Sequence, residues 1–291
     1  MEIKILTLDY LDEFINLDYT TFNRDVPRSK EMGLSMLRDC KEGAFMAIEN
    51  NKLLGFVFCR ALGDTGYIGP LGVANNLYGK GIGSKLLDKA MEYLKNKNCK
   101  IIGLEALADN PSALSLYIKK GFTLTLPTLV LRTPDTLAKS GLTVTSLKTN
   151  SSDFNDIISK ISTLTRNESY DFTCEIQNSL NNGGYLCYYQ EGDKVLGFIT
   201  YNKNQLGDMW GLVDNCDNKN EIFISLINNL IDILPNDGVT FRVNSKYTDF
   251  ITFLVNNKFE LMRGNIRFVL KDYEGFSKES SNRFLLRGWI V

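Results

Sequence analysis

The sequence contains no histidine among its 291 residues. This absence excludes the serine–histidine–aspartate and cysteine–histidine nucleophile systems, and it removes the commonest metal ligand of proteins. Any proton transfer must therefore use carboxylates, tyrosine, lysine, cysteine, a chain terminus or water. We accordingly expect a site without a metal ion.

The sequence also has neither a long apolar run nor an excess of one charge. No apolar stretch approaches the roughly 20 residues that a membrane-spanning helix needs, and residues 1–5 lack the apolar core of a signal peptide. With 33 basic and 34 acidic residues the formal net charge is −1, which gives no reason to expect a nucleic acid or a membrane as partner. We expect a globular, cytoplasmic protein.

Cysteines are few and scattered, without a C-x-x-C pair or the spacing of a metal site. We expect reduced thiols, most of them buried. The six are Cys40, Cys59, Cys99, Cys174, Cys187 and Cys216.

The most informative stretch that is present covers residues 67–84. Its alternating Gly79, Gly81 and Gly83 come directly before an amphipathic run, which predicts a strand, a glycine-rich turn and a helix. Glycine allows positive φ angles and close approach to the backbone, and a helix N-terminus presents unpaired N–H groups. The stretch therefore predicts a phosphate or pyrophosphate cradle. Its spacing fits neither a P-loop nor a dinucleotide-binding fingerprint.

Strand and helix patterns alternate along the chain, which predicts a mixed α/β fold around a central sheet. The pattern restarts after residues 133–141, whose composition is that of a linker. A hairpin that contains Leu-Gly-Phe at residues 54–56 returns with the same tripeptide at 196–198. We interpret this as an internal duplication, with domains at residues 1–135 and 141–291.

Two segments in this order, 79–87 and 110–122, resemble the signatures of the GNAT (Gcn5-related) N-acetyltransferase superfamily. The first is similar to its Q/R-x-x-G-x-G/A acyl-CoA motif and the second to its N-x-x-A-x-x-x-Y-x-x-x-G-F pattern. The clear resemblance covers roughly residues 1–132, and over residues 142–270 only the order of strands and helices is similar. It implies two tandem GNAT-like domains, each with a largely antiparallel sheet that is splayed at the acyl-CoA site and flanked by helices.

The resemblance implies acetyl-CoA as the acyl donor and assigns its contacts by position. Backbone groups of Leu71 and Val73 would pair with the pantetheine arm, and Asn110 would contact that arm from the second motif helix. Tyr78 stands where the family has Gln or Arg. The residues implied to hold the pyrophosphate are Tyr78, Gly79, Lys80, Gly81, Ile82, Gly83 and Ser84.

The resemblance also implies catalytic roles. Tyr117 would contact the cofactor and be the general acid for the departing thiolate, unless it is only a half-buried core aromatic. Glu105 is the best candidate base, because the ribosomal-protein N-terminal acetyltransferase branch places a Glu at this spacing. Asp64, which is more typical of a turn, and the C-terminal carboxylate of Val291 remain alternatives.

The second copy lacks these features. Its corresponding loop at residues 213–221 has no glycine and three acidic residues, which would repel a pyrophosphate. An alignment of Phe122 with Phe259 puts Leu254 at the Tyr117 position and Tyr247 at the Asn110 position. We therefore expect that the C-terminal copy does not bind CoA.

The resemblance thus implies an enzyme, an N-acetyltransferase that moves an acetyl group from acetyl-CoA to a primary amine by direct attack. The acceptor would be a small-molecule amine, or the N-terminus or a lysine of a peptide. We expect a monomer or a homodimer. The alternative is a catalytically weak or inactive acyl-CoA-binding sensor or partner-binding module, which the unusual Tyr78 favours.

Overall fold

A computed structural model describes residues 1–147, 151–168, 170–201, 208–234, 238–273 and 283–287. Within them the chain forms two compact units. Unit 1 comprises residues 1–125 and 267–273, and unit 2 comprises the described residues of 126–266 and 283–287. The division into domains at residues 135–141 stays a prediction.

The described elements follow the mixed α/β order that the sequence predicts. The strands are β1 (Glu2–Ile5), β2 (Ala44–Glu49), β3 (Lys52–Leu62), β4 (Thr65–Val73), β5 (Ile101–Leu107), β6 (Phe122–Arg132), β7 (Thr145–Leu147), β8 (Tyr185–Glu191), β9 (Lys194–Tyr201), β10 (Asp208–Val213), β11 (Thr240–Asn244), β12 (Glu260–Leu270) and β13 (Phe284–Leu286). The helices are α1 (Leu11–Thr21), α2 (Lys30–Cys40), α3 (Ile82–Asn96), α4 (Pro111–Lys119), α5 (Phe154–Thr165), α6 (Phe172–Asn181), α7 (Lys219–Ile233) and α8 (Thr248–Asn256).

In unit 1 the sheet runs in the order β1-β2-β3-β4-β5, followed by β12. The first four strands are antiparallel neighbours, and β4 pairs with β5 in parallel. Strand β12 begins in unit 2, but its residues 267–270 belong to unit 1. The sequence did not predict this placement, since strand order depends on pairing between distant segments.

Helix α3 covers one face of this sheet, because its apolar residues recur with the helical period. The predicted apolar face is confirmed as buried, at Ile82, Leu86, Leu87, Ala90, Met91 and Leu94. The beginning of α2 is capped by the Ser29 side chain, which accepts a hydrogen bond from the Met32 amide at 3.1 Å. None of the described helices combines the length and the hydropathy that a bilayer span requires.

In unit 2 the strand order is β6-β11-β10-β9-β8-β7, and β13 pairs with β10. The hairpin of β8 and β9 agrees with the predicted repeat of the β2–β3 hairpin. Helix α8 begins after Tyr247, as α4 begins after Asn110, which agrees with the alignment of the two copies. The fold class is confirmed: a mixed α/β fold with a largely antiparallel sheet and helices.

All six cysteines are free in this structure, and four of them are buried, so the expectation that most are buried is confirmed.

Candidate active site

The central feature of unit 1 is an opening between β4 and β5. Their parallel pairing joins Thr65–Tyr67 to Ile101–Gly103 and ends there, although β4 continues to Val73 and β5 to Leu107. A register shift between β3 and β4 at Val57/Cys59 inserts one extra residue into β4 beside the point of separation. Beyond Tyr67, the edge of β4 that faces β5 has no strand partner among the described residues.

Strand β4 leads into the glycine turn that precedes α3. Gly79 and Gly81 have φ angles of +80° and +78°, which favour glycine, and a methyl group at either would meet nothing within 4 Å. The first helical hydrogen bond runs from the Lys85 amide to the Gly81 carbonyl, so the N–H groups before Lys85 have no helical partner. The first turn of α3 carries no acidic residue. The turn is thus open and suited to an anion.

Two amides of the predicted cradle already have partners within the turn. The Tyr78 amide donates to the Asn75 carbonyl at 3.4 Å, and the Lys80 amide donates to the Leu77 carbonyl at 3.3 Å. The Tyr78 side chain is 57% exposed. The amides best placed for an anion are therefore those of the three glycines and of the first helical residues.

Three elements of unit 1 converge at Gly83. A methyl group there would lie 3.5 to 3.6 Å from side chains of Leu116, Leu71 and Val73. Ile82, beside it, is buried, whereas Ser84 is partly exposed. The Val73 carbonyl accepts a hydrogen bond from the Thr21 hydroxyl at 3.2 Å. Helix α1 thus ends on the same part of β4.

Helix α4 begins with Asn110, which acts as its cap. The Asn110 side-chain oxygen accepts a hydrogen bond from the Ala113 amide at 3.1 Å, and Pro111 occupies the first helical position. Gly121, with φ of +88°, ends the helix as the sequence predicts. The implied cofactor contact of Asn110 must therefore use the groups that remain after capping.

Tyr117 lies on α4 and is 8% exposed. Its ring packs edge-on against Phe122 and Phe268, with centroids at 6.2 and 5.7 Å. Burial raises the pKa of Tyr117 to about 12. The phenol is therefore protonated throughout the physiological range.

Glu105 lies on β5, two residues beyond the last pairing with β4. Its side chain is 1% exposed, and its Oε1 lies 4.0 Å from Nε of Arg267, whose side chain is also 1% exposed. Arg267 belongs to β12, and the sequence offers no local signal for this contact because the two residues are far apart in the chain.

The other candidate bases lie elsewhere. Asp64 precedes β4, where its carboxylate accepts from Lys100 Nζ at 2.8 Å and its carbonyl accepts from the amides of Lys100 and Ile101. It therefore stabilises a turn at the end of β4 opposite to the glycines. Val291 lies outside the described residues.

The corresponding opening in unit 2 contains a strand of the chain itself. The parallel pairing of β10 with β11 joins Asp208–Met209 to Thr240–Phe241. Beyond it, β13 pairs with Gly211–Val213 of β10, and the Arg287 amide donates to the Arg242 carbonyl of β11 at 2.9 Å. Strand β13 and the residue that follows it thus bond to both strands that border this position.

Comparison with known proteins identifies relatives of the N-terminal part. A family model for the "Acetyltransferase (GNAT) family" matches residues 8–122. The chain is 33% identical over 101 residues to "N-alpha-acetyltransferase 30" of Schizosaccharomyces pombe, which covers 33% of this chain and 67% of that protein. It is 33% identical over 138 residues to an uncharacterized N-acetyltransferase of Archaeoglobus fulgidus, 40% of this chain and 89% of that protein.

Other relatives are matched over less of their length. The "[Ribosomal protein bS18]-alanine N-acetyltransferase" of Haemophilus influenzae is 36% identical over 75 residues, 26% of this chain and 51% of that protein. The chain spans 59%, 43% and 54% of three further relatives, an N-acetyltransferase of Methanocaldococcus jannaschii and N-alpha-acetyltransferases of Arabidopsis thaliana and Saccharomyces cerevisiae.

Solved structures match nearly the whole chain. A candidate acetyltransferase from Pyrococcus horikoshii has a TM-score of 0.78 at 14% identity and covers 99% of this chain and 94% of its own. A tandem GNAT protein from the clavulanic acid biosynthesis pathway has a TM-score of 0.62 at 10% identity, with coverage of 92% and 98%. At these identities the likeness concerns the fold, and the fold is that of tandem GNAT proteins.

Proposed function

The chain belongs to the GNAT family of acetyltransferases, and we propose that it transfers an acetyl group from acetyl-CoA to a primary amine. The N-acetyltransferase relatives support acetyltransferase function of the GNAT type. The observation that carries the proposal is the opening between β4 and β5, together with the open glycine turn that follows β4 and precedes α3.

The residues of unit 1 fit acetyl-CoA, which supplies the acetyl thioester. In the proposal, backbone groups of Leu71 and Val73 hold the pantetheine arm, and the amides of Gly79 and of Gly81 to Ser84 hold the pyrophosphate. Asn110 contacts the arm, and the Lys80 ammonium adds positive charge near the phosphates. This assignment is supported by the edge of β4, which is unpaired within the described part of the chain, by the positive φ angles and by the absence of acidic residues in the first turn of α3.

Acetyl transfer needs one base and one acid. The amine nitrogen forms a bond to the acetyl carbon and the carbon–sulfur bond breaks. The nitrogen loses a proton, for which Glu105 is the proposed base, and the thiolate gains one, for which Tyr117 is the proposed acid. The pKa of Tyr117, about 12, lies roughly 3.5 units above that of an ordinary thiol. Because this proton transfer is uphill, the hydroxyl must lie within hydrogen-bonding distance of the sulfur.

The acceptor that we propose is the α-amine of a protein or peptide N-terminus. Relatives in Schizosaccharomyces pombe and Haemophilus influenzae are an N-alpha-acetyltransferase and a [ribosomal protein bS18]-alanine N-acetyltransferase. A lysine side chain and a small-molecule amine are the competing acceptors. A monomeric or homodimeric state, a cytoplasmic location and the absence of nucleic-acid and membrane partners remain part of the proposal.

Unit 2, in this proposal, binds no acyl-CoA. Strand β13 and the residue that follows it bond to both β10 and β11 where the corresponding strands of unit 1 stay apart. The loop after β10 carries acidic residues at Asp214 and Asp217 and lacks glycine. Leu254, which aligns with Tyr117, is completely buried and has no ionisable group.

The test supplies the wild-type protein with acetyl-CoA and three acceptor sets. These are peptides with a free α-amine, peptides blocked at the N-terminus that carry a free lysine, and small-molecule amines. We expect CoA release with the first set and acetylation of the α-nitrogen by mass spectrometry. Tight binding of acetyl-CoA without transfer to any acceptor would contradict the proposed activity and favour the binding-module alternative.

A further inference from the structure

The last four residues of β12 form part of unit 1 and lie next to β5. All four are buried: Arg267 is 1% exposed, Phe268 0%, and Val269 and Leu270 each 7%. Hydrogen bonds connect this segment and the residue after it to the end of α4 and the start of β6. The Thr123 hydroxyl donates to the Val269 carbonyl at 3.3 Å, and the Lys271 amide donates to the Gly121 carbonyl at 2.8 Å.

Arg267 faces the proposed base. Its guanidinium Nε lies 4.0 Å from Oε1 of Glu105, and both side chains are 1% exposed. Water screens such a pair poorly, because almost no solvent reaches either group. The charge of Arg267 therefore attracts the carboxylate and restricts its position on the part of β5 that borders the opening.

Phe268 contacts the proposed acid. Its ring lies 5.7 Å from the ring of Tyr117 at an interplanar angle of 62°. Together with Phe122, at 6.2 Å, it fixes the Tyr117 ring from two sides. Successive residues of a strand point to opposite faces of the sheet, so a single strand can support one group on each face.

We propose that Arg267 and Phe268 are positioning residues of the acetyl-transfer site, Arg267 for the Glu105 carboxylate and Phe268 for the Tyr117 phenol. The inference rests on the proposed function. It means that the site requires residues from the C-terminal part of the chain, outside the segment that matches the family model at residues 8–122. Neither residue touches the reacting atoms, and each acts through its partner.

The test of Arg267 compares Arg267→Gln and Arg267→Lys in the full chain. Arg263→Gln is the matched control, because Arg263 lies exposed on the same strand. We expect Arg267→Gln to lower kcat by about 100-fold, the cost of a misplaced catalytic group, with little change in acetyl-CoA affinity. Arg267→Lys, which keeps the positive charge, is expected to restore most of kcat.

A double-mutant cycle separates positioning from a merely structural role. In the Glu105→Gln background, Arg267→Gln is expected to cause no further loss of kcat, since Arg267 acts through Glu105. The double variant also removes both buried charges together, which keeps it folded if Arg267→Gln alone is unstable. Equal losses of kcat in both backgrounds would overturn the assignment of Arg267.

The same design applies to Phe268. We expect Phe268→Leu to lower kcat in the wild type and to have no further effect in Tyr117→Phe. An active wild type whose Arg267 and Phe268 variants match Arg263→Gln in kcat would refute this inference and leave the proposed function intact. A wild type that acetylates no acceptor would refute both.

Discussion

Gly81 and Gly121 share a left-handed backbone but differ in their position relative to the opening. Their φ angles are +78° and +88°, and a methyl group at either would meet nothing within 4 Å. An alanine at either position is strained by about 1 to 2 kcal/mol. We expect Gly81→Ala to weaken acetyl-CoA binding, measured by calorimetry, because a methyl group enters the open side of the turn.

The Gly121→Ala variant is the control for strain alone. It is expected to lower the free energy of unfolding as much as Gly81→Ala, while its dissociation constant for acetyl-CoA stays at the wild-type value. Equal acetyl-CoA affinities in the two variants would mean that the turn is not the pyrophosphate cradle.

Tyr117 and Tyr93 are also a matched pair of residues. Burial raises the pKa of each to about 12, but Tyr93 lies on α3 and packs on Phe45, whereas Tyr117 lies on α4. We expect Tyr117→Phe to lower kcat by about 100-fold or more, the loss typical of a general acid. Tyr93→Phe should retain wild-type kcat, and neither change should alter acetyl-CoA affinity.

The pKa of Tyr117 also predicts how kcat depends on pH in the alkaline range. The phenol loses its proton only near pH 12, so the concentration of the acid form does not fall as the pH rises toward about 10. An alkaline decline of kcat in that range that disappears in Tyr117→Phe would contradict this expectation.

At the scale of elements, α1 is joined to the segment that precedes α2 through a buried carboxylate. Asp18 is fully buried and bonds to two guanidinium groups: Arg24 Nη2 donates to Oδ1 at 3.1 Å, and Arg28 Nε donates to Oδ2 at 3.0 Å. Loss of the Asp18 carboxylate removes the partner of two guanidinium groups that are partly or almost fully buried. We therefore expect Asp18→Ala to lower the free energy of unfolding by about 3 kcal/mol.

Asp12 provides the exposed counterpart on the same helix. It pairs with Lys30 of α2 at 2.9 Å, but both side chains are more than two-thirds exposed, at 73% and 68%. Asp12→Ala is therefore expected to change the unfolding free energy by less than about 1 kcal/mol. Denaturant titration of both variants is the measurement, and similar costs would show that burial does not govern the α1–α2 connection.

Local elements of the candidate site were predictable because local chemistry determines them. The helical period identified α3, Asn110 and Pro111 marked the start of α4, and Gly121 marked its end. The contact of Arg267 with Glu105 was not predictable in this way. It depends on which strand lies beside β5, and pairing between distant segments leaves no periodic signal in either one.

The same limit decides which features of the second copy could be predicted from the sequence. Loss of the glycines from residues 213–221 was visible in the sequence and predicted loss of CoA binding. The pairing of β13 with β10 was not visible, because a short apolar run such as Phe284–Leu286 has no unique partner until the sheet forms. The structure adds a physical reason to the sequence argument, since the chain itself bonds to the strand edges that a pantetheine arm would need.

For the whole molecule, the two units predict a binding stoichiometry. As far as the described residues show, unit 1 has an open glycine turn and an unpaired strand edge, whereas β13 pairs with β10 in unit 2. We expect calorimetry with acetyl-CoA to give one site per chain. Gly81→Asp places a negative charge at the turn of unit 1 and leaves unit 2 unaltered. It should abolish all binding of acetyl-CoA. Two sites in the wild type, or residual binding in Gly81→Asp, would show that unit 2 also binds acyl-CoA.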